Sequence, residues 1–157
     1  MKAVLFVCVH NSGRSQMAEA LFNHHAAGRA RATSAGTRPA RHIDRNVVEV
    51  MKELRLDVRE HRPKMLTPRM LEDAGRVVTM GCGVEGICPA VLVPTEDWHV
   101  EDPEGKAVEK VREIRDEIAA RVRTLIADIE TERRLQPATS GSIADDSSHN
   151  HEGGQRI

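Results

Sequence analysis

The 157-residue chain balances 23 lysines and arginines against 24 aspartates and glutamates, a formal net charge of −1. So even a balance gives no general attraction to nucleic acid or a membrane surface, and no apolar run approaches the ~20 residues needed to span a bilayer. Hydrophobic residues make up 39% and aromatics only 2%, which predicts one domain built on an aliphatic core.

The opening run Lys2-Ala-Val-Leu-Phe-Val-Cys8 is apolar and rich in β-branched residues, the pattern of a strand buried on both faces. It is too short for the apolar region of a signal peptide, and no small-residue cleavage site follows, so a cytoplasmic location is expected. His10-Asn-Ser-Gly-Arg-Ser15 supplies turn chemistry. From Ser15 a helical period takes over, with Met17, Ala18, Leu21 and Phe22 on one face and Gly28 closing the segment.

Arg31–Gly36 reads as a second strand, and Asp44 as the cap of a helix carrying Val47, Val48, Met51 and Leu54. A stretch with Pro63 and Pro68 then leads through a short helix, from near Thr67 to Asp73, into a third strand at Gly75–Met80. Ala90–Val93 is a weaker candidate for the fourth. A long helix is expected from about Lys106 to Arg134, because Val108, Val111, Ile114, Ile118, Val122, Leu125 and Ile129 recur in steps of three and four.

Strands alternating with helices predict an α/β domain over residues 1–135, a four-stranded parallel sheet flanked by helices. Beyond Leu135 the chain turns to Ser, Gly, Asp and His, and 136–157 is expected to be a disordered tail.

Cys8-Val-His-Asn-Ser-Gly-Arg14-Ser15 joins a strand to a helix. A loop of this length can turn the amides of Val9, His10, Asn11, Ser12, Gly13, Arg14 and Ser15 into one concavity at a helix N-terminus, a cradle for a tetrahedral anion. Gly13 eases the turn, and Arg14 can fork two donors onto the anion. The same positive surroundings favour Cys8 as a thiolate nucleophile, and the Ser15 hydroxyl sits where it can bond the sulfur. His10 at the lip is expected to face solvent.

The three cysteines are too few for a disulfide scaffold and read as reactive thiols. Cys82 and Cys88, in Met80-Gly-Cys-Gly-Val-Glu-Gly-Ile-Cys-Pro89, are too far apart for a tight metal pair. Their glycine-rich setting suits a moving thiol relay. Glu96-Asp-Trp-His-Val-Glu-Asp102-Pro103 offers two carboxyls before a proline, and a carboxylic acid there can protonate a departing oxygen.

The string Val7-Cys-Val-His-Asn-Ser-Gly-Arg-Ser-Gln-Met-Ala-Glu19 resembles the signature loop of the low-molecular-weight protein tyrosine phosphatase superfamily. It is most similar to the thioredoxin-coupled arsenate reductases that share that fold, and the likeness covers about residues 3–130. The resemblance implies a low-molecular-weight phosphatase-like fold and reduction of arsenate to arsenite. In that scheme Cys8 attacks arsenate, Cys82 attacks Cys8, and Cys88 attacks Cys82. The resulting Cys82–Cys88 disulfide is recycled by thioredoxin as external donor, with no bound cofactor.

The resemblance assigns the proton donor to Asp102, with Glu101 second. It makes Asn11, Glu19 and Ser34 supports of the loop. Some relatives hold potassium nearby, but Glu60-His-Arg-Pro-Lys64 is basic where further oxygen ligands are expected. The Lys64 ammonium is therefore expected to take the ion's place, with no metal bound. A monomer is expected, with phosphate and sulfate as competing anions. The alternatives are a phosphatase using Cys8, Arg14 and Asp102 alone, a non-catalytic anion-binding module, or recycling by a glutathione- or mycothiol-type thiol.

Overall fold

The computed structural model describes residues 2–81 and 93–136. In chain order it contains β1 (Ala3–Cys8), α1 (Arg14–Ala26), β2 (Ala32–Gly36), α2 (Arg45–Lys52), α3 (Pro68–Asp73), β3 (Ala74–Thr79), β4 (Thr95–Asp97) and α4 (Val108–Leu135). The strands form one parallel sheet in the order β2-β1-β3-β4.

That order follows from composition. β1 is almost wholly apolar, so it takes the centre, where both faces are covered. Val4, Phe6 and Cys8 alternate onto one face and join the main core with Met17, Leu21 and Phe22 of α1, Val47 and Met51 of α2, and Ile118 and Val122 of α4. Leu5 and Val7 point the other way, into a smaller cluster with Ala35, Ala74 and Val77, over which Met70 and Leu71 of α3 pack. The chain leaves β1 for β2 on one side and reaches β3 on the other. The carboxyl end of β1 is therefore the point where the winding reverses, the place such sheets open a ligand crevice.

Asp44 caps α2 by accepting from the Asn46 amide at 2.8 Å, and Thr67 caps α3 from the Met70 amide at 3.3 Å. The apolar stripe of α4 is buried from Val111 to Ile126. Arg115, 6% exposed, crosses from this helix to the Val50 carbonyl at 2.8 Å and to Glu53 at 2.7 Å, fastening α2 to α4.

Three expectations shift. The strand beside β3 is Thr95–Asp97, in register Val77↔Thr95 and Thr79↔Asp97; of the more apolar Ala90–Val93, residues 90–92 lie outside the described residues and Val93 precedes the strand. Leu54 is not on the buried face of α2. The helix ends at Lys52, a turn with Arg55 at φ 61° follows, and Leu54 is 39% exposed. The left-handed cap of α1 is Ala27 at φ 49°, with Gly28 next at φ 84°. The expected tail lies outside the described residues, apart from Gln136. Among the described residues no helix is long and apolar enough to cross a membrane.

Candidate active site

Between Cys8 and Arg14 the chain must reverse from strand to helix, and its carbonyls find donors on the outside. The oxygens of Cys8, Val9, His10 and Ser12 accept from the amides of Thr37 (3.2 Å), Arg38 (2.8 Å), Ala40 (2.9 Å) and Asp44 (2.9 Å). With the carbonyls turned outward, the intervening amides turn inward. Those of His10, Ser12 and Gly13 have no acceptor among the described residues. Such a ring of inward donors at a helix N-terminus is an anion site.

Asn11 holds this shape. It is fully buried and adopts φ 49°, a left-handed conformation that asparagine tolerates better than most residues. Its Nδ2 donates to Ser15 Oγ at 2.7 Å and Ser34 Oγ at 3.0 Å. Its Oδ1 accepts from Gln16 Nε2 at 3.0 Å and the Lys64 amide at 2.9 Å. The loop can lie this close to β2 only because residue 36 is glycine: a Cβ there would stand 2.6 Å from the Val9 oxygen.

Cys8, 2% exposed, points its sulfur into the ring, where the Asn11 amide donates to it at 3.2 Å. Ser15 Oγ lies 2.8 Å away. Ser15 Oγ also accepts from Asn11, so Asn11, Ser15 and Cys8 form one hydrogen-bonded chain; when the sulfur is a thiolate, the Ser15 hydroxyl is its donor. Donors aimed at sulfur stabilise a thiolate over a thiol.

Arg14, 7% exposed, gives Nη1 to the Val100 carbonyl at 3.1 Å. Gly81, at φ 69°, lies against it so tightly that a Cβ would come 2.5 Å from Nη1. Asp102 Oδ2 is 3.7 Å from Nη2, an ion pair rather than a hydrogen bond. The Asp102 loop is seated by Pro103, whose ring would be 2.8 Å from any Cβ on Gly13. It is also held by the Glu104 amide, which donates to Asp102 Oδ1 at 3.0 Å.

Glu101, the second choice as proton donor, turns away to Lys110 at 3.1 Å and Lys106 at 3.4 Å. The hydrogen bond from Lys110 outweighs partial desolvation and holds its carboxyl below the ordinary carboxylate range, the wrong direction for an acid.

Ser34 meets the loop through Asn11. Glu19 acts one step further out: its carboxylate lies 3.8 Å from His61 Nδ1 and 3.9 Å from Lys64 Nζ. Lys64 thus brings its amide to Asn11 and its ammonium to Glu19. Among the described residues no group of three or more His, Cys, Asp or Glu side chains is placed to hold a metal ion. Cys82 and Cys88 lie outside the described residues. Gly81, the last described residue before them, is against Arg14.

The low molecular weight phosphotyrosine protein phosphatase family matches residues 3–135. The chain belongs to this family. Within it, the chain is 38% identical to a thioredoxin-dependent arsenate reductase of Corynebacterium glutamicum, with a TM-score of 0.73 over 84% of this chain. It spans 63% of the length of that longer protein. A Synechocystis glutaredoxin arsenate reductase is 34% identical over 82% of this chain and 99% of its own. The YwlE arginine phosphatase of Geobacillus stearothermophilus superposes with a TM-score of 0.78 at 27% identity, over 87% of this chain and 98% of its own.

This low-molecular-weight phosphatase site uses residues that sequence reasoning passed over. Gln16, fully buried, ties Asn11 to the Arg62 carbonyl at 3.3 Å and to His61 at 3.3 Å. Its signal was a third polar residue, after Arg14 and Ser15, in the first turn of α1, all of them buried. His10 is partly exposed, as expected, but its ring is engaged at both nitrogens, 3.1 Å from the Arg38 carbonyl and 3.6 Å from Glu104.

Proposed function

We propose that this chain reduces arsenate to arsenite with Cys8 as nucleophile, in a pocket formed by the amides of residues 9–15 and the Arg14 guanidinium. The observation that carries the reading is the position of Gly81. β1 and β3 are neighbours in register Val7↔Thr79, so the nucleophile and the segment leading to Cys82 leave the sheet at the same edge.

The Cys8 thiolate attacks arsenic(V), and an arsenate oxygen departs as water with a proton from Asp102, leaving a Cys8–arsenic bond. The Cys82 thiolate then attacks the Cys8 sulfur. The sulfur–arsenic pair stays on arsenic, which leaves as arsenite, and a Cys8–Cys82 disulfide forms. Cys88 attacks Cys82, freeing Cys8, and the Cys82–Cys88 disulfide is reduced by the dithiol of thioredoxin. The similarity to the Corynebacterium glutamicum enzyme supports thioredoxin as the donor. Lys64, paired with Glu19, supplies the positive charge that an alkali ion provides in some relatives. The working unit is a cytoplasmic monomer of residues 1–135, with 136–157 as a tail.

A phosphatase is the second reading, favoured by the likeness to the arginine phosphatase. It would use Cys8, Arg14 and Asp102 and leave Cys82 and Cys88 idle. Steady-state arsenate reduction with thioredoxin, thioredoxin reductase and NADPH separates the two. Cys8→Ser, Cys82→Ser and Cys88→Ser should each abolish multiple turnover, whereas phosphoester hydrolysis would need only Cys8. Normal arsenate turnover by both Cys82→Ser and Cys88→Ser would end the relay.

A further inference from the structure

His10 sits at the lip of the anion pocket with an acceptor on each side of its ring. Nδ1 lies 3.1 Å from the Arg38 carbonyl oxygen, on the segment after β2. Nε2 lies 3.6 Å from Glu104 Oε2, on the loop before α4. A neutral imidazole has one N–H donor and one lone pair, and an imidazolium has two donors. Facing a carbonyl on one side and a carboxylate at ion-pair distance on the other, the ring attracts both only when it is protonated.

The contact is aimed at the acid loop. The Glu104 amide donates to Asp102 Oδ1 at 3.0 Å, so the residue whose side chain meets His10 also orients Asp102 through its backbone. Pro103, between them, rests on Gly13. The charged or titratable side chains on the segments that meet the ring are Glu104 and Asp102 on that loop, Arg38 after β2, and Cys8 and Arg14 in its own loop. Of the described residues, only Glu104 comes within ion-pair range of the imidazole.

We infer that His10 is a positioning residue: protonated, its ring braces the Asp102–Gly105 loop, through Glu104, against the Arg38 segment, and so sets the proton donor over Cys8. The inference rests on the proposed role of Asp102. Because the brace needs both ring nitrogens protonated, it closes as the pH falls and opens as it rises.

The test is single-turnover arsenite formation by wild type, His10→Gln, Glu104→Gln and the double variant at pH 6 and pH 8.5. At pH 6 each single variant should be roughly two- to fivefold slower, the scale of an exposed ion pair. The double variant should be no slower than the slower single one. The loss should fall on the rate constant rather than on the arsenate concentration giving half-maximal rate, and all four proteins should converge at pH 8.5. Losses that multiply in the double variant, that persist unchanged at pH 8.5, or that appear only in half-saturation overturn the brace.

A second readout needs no activity. By NMR, the Glu104 and Gly105 amide signals should move with pH across the imidazole range in wild type and stop moving in His10→Gln. Signals that never titrate, or titrate alike in both proteins, refute the inference. If wild type forms no arsenite while these signals titrate as stated, the reductase reading fails and the brace stands.

Discussion

Asn11 is fully buried, and its side-chain amide bonds Ser15, Ser34, Gln16 and the Lys64 backbone. Asp102, across the pocket, is 46% exposed, pairs with Arg14 at 3.7 Å and accepts one amide bond from Glu104. The nucleophile side is thus built before any anion arrives, which is where preorganised dipoles do most for a reaction. The acid side is held by surface contacts, so its geometry can be tuned or lost without unfolding the protein. The difference predicts that damage to the two sides separates into binding with stability on one and rate on the other.

The largest effect should come from the acid side. Asp102→Asn keeps the shape and removes the proton, so the first chemical step should slow roughly 10²- to 10⁴-fold. Rapid-quench measurement of Cys8 adduct formation checks this, with the melting temperature unmoved. An equal fall in arsenate affinity would erase the contrast. Next is Asn11→Ala, which strands buried donors and places alanine at a left-handed φ. A loss of roughly 2–4 kcal/mol is expected in denaturant unfolding, with sulfate affinity falling in calorimetry.

Gly13→Ala joins the two regions, because its new Cβ would press the Pro103 ring from 2.8 Å. The ring stands on a surface loop and can yield. Stability should drop by only about 1 kcal/mol, while turnover falls more than it does for an exposed helix alanine.

The smallest effect lies away from the pocket. The Arg112 hydrogen bond, with help from Arg115, lowers the Glu53 carboxyl from its ordinary 4.5 to about 2. A group depressed on folding stabilises above its ordinary range and loses that contribution as the pH falls toward the folded value. Glu53→Gln should therefore melt slightly below wild type at pH 7. The gap should close between about pH 4.5 and pH 2, with arsenate kinetics untouched.

What could be read in advance was local. The β1 run, the Asp44 cap, the α4 stripe and the Cys8–Arg14 loop each carry their signal within a few residues. The misses depend on partners far along the chain. β4 has three exposed residues and exists because β3 offers an edge, which no local apolar pattern announces. Gln16 reaches the Arg62 carbonyl, Arg14 reaches the Val100 carbonyl, and Gly36 is required by the Val9 oxygen. Glu101 and Asp102 look alike in sequence, and only the position of Lys106 and Lys110 turns one of them away.

Trp98, the single tryptophan of the chain, is 4% exposed and leans on Phe6 at 5.6 Å. Its amide donates to the Thr79 carbonyl at 2.8 Å, and it stands two residues before the carbonyl that secures Arg14. The molecule therefore carries its own optical gauge: intrinsic emission, free of competing indoles and of any tyrosine, reads out disturbance at the pocket wall in real time and without a label.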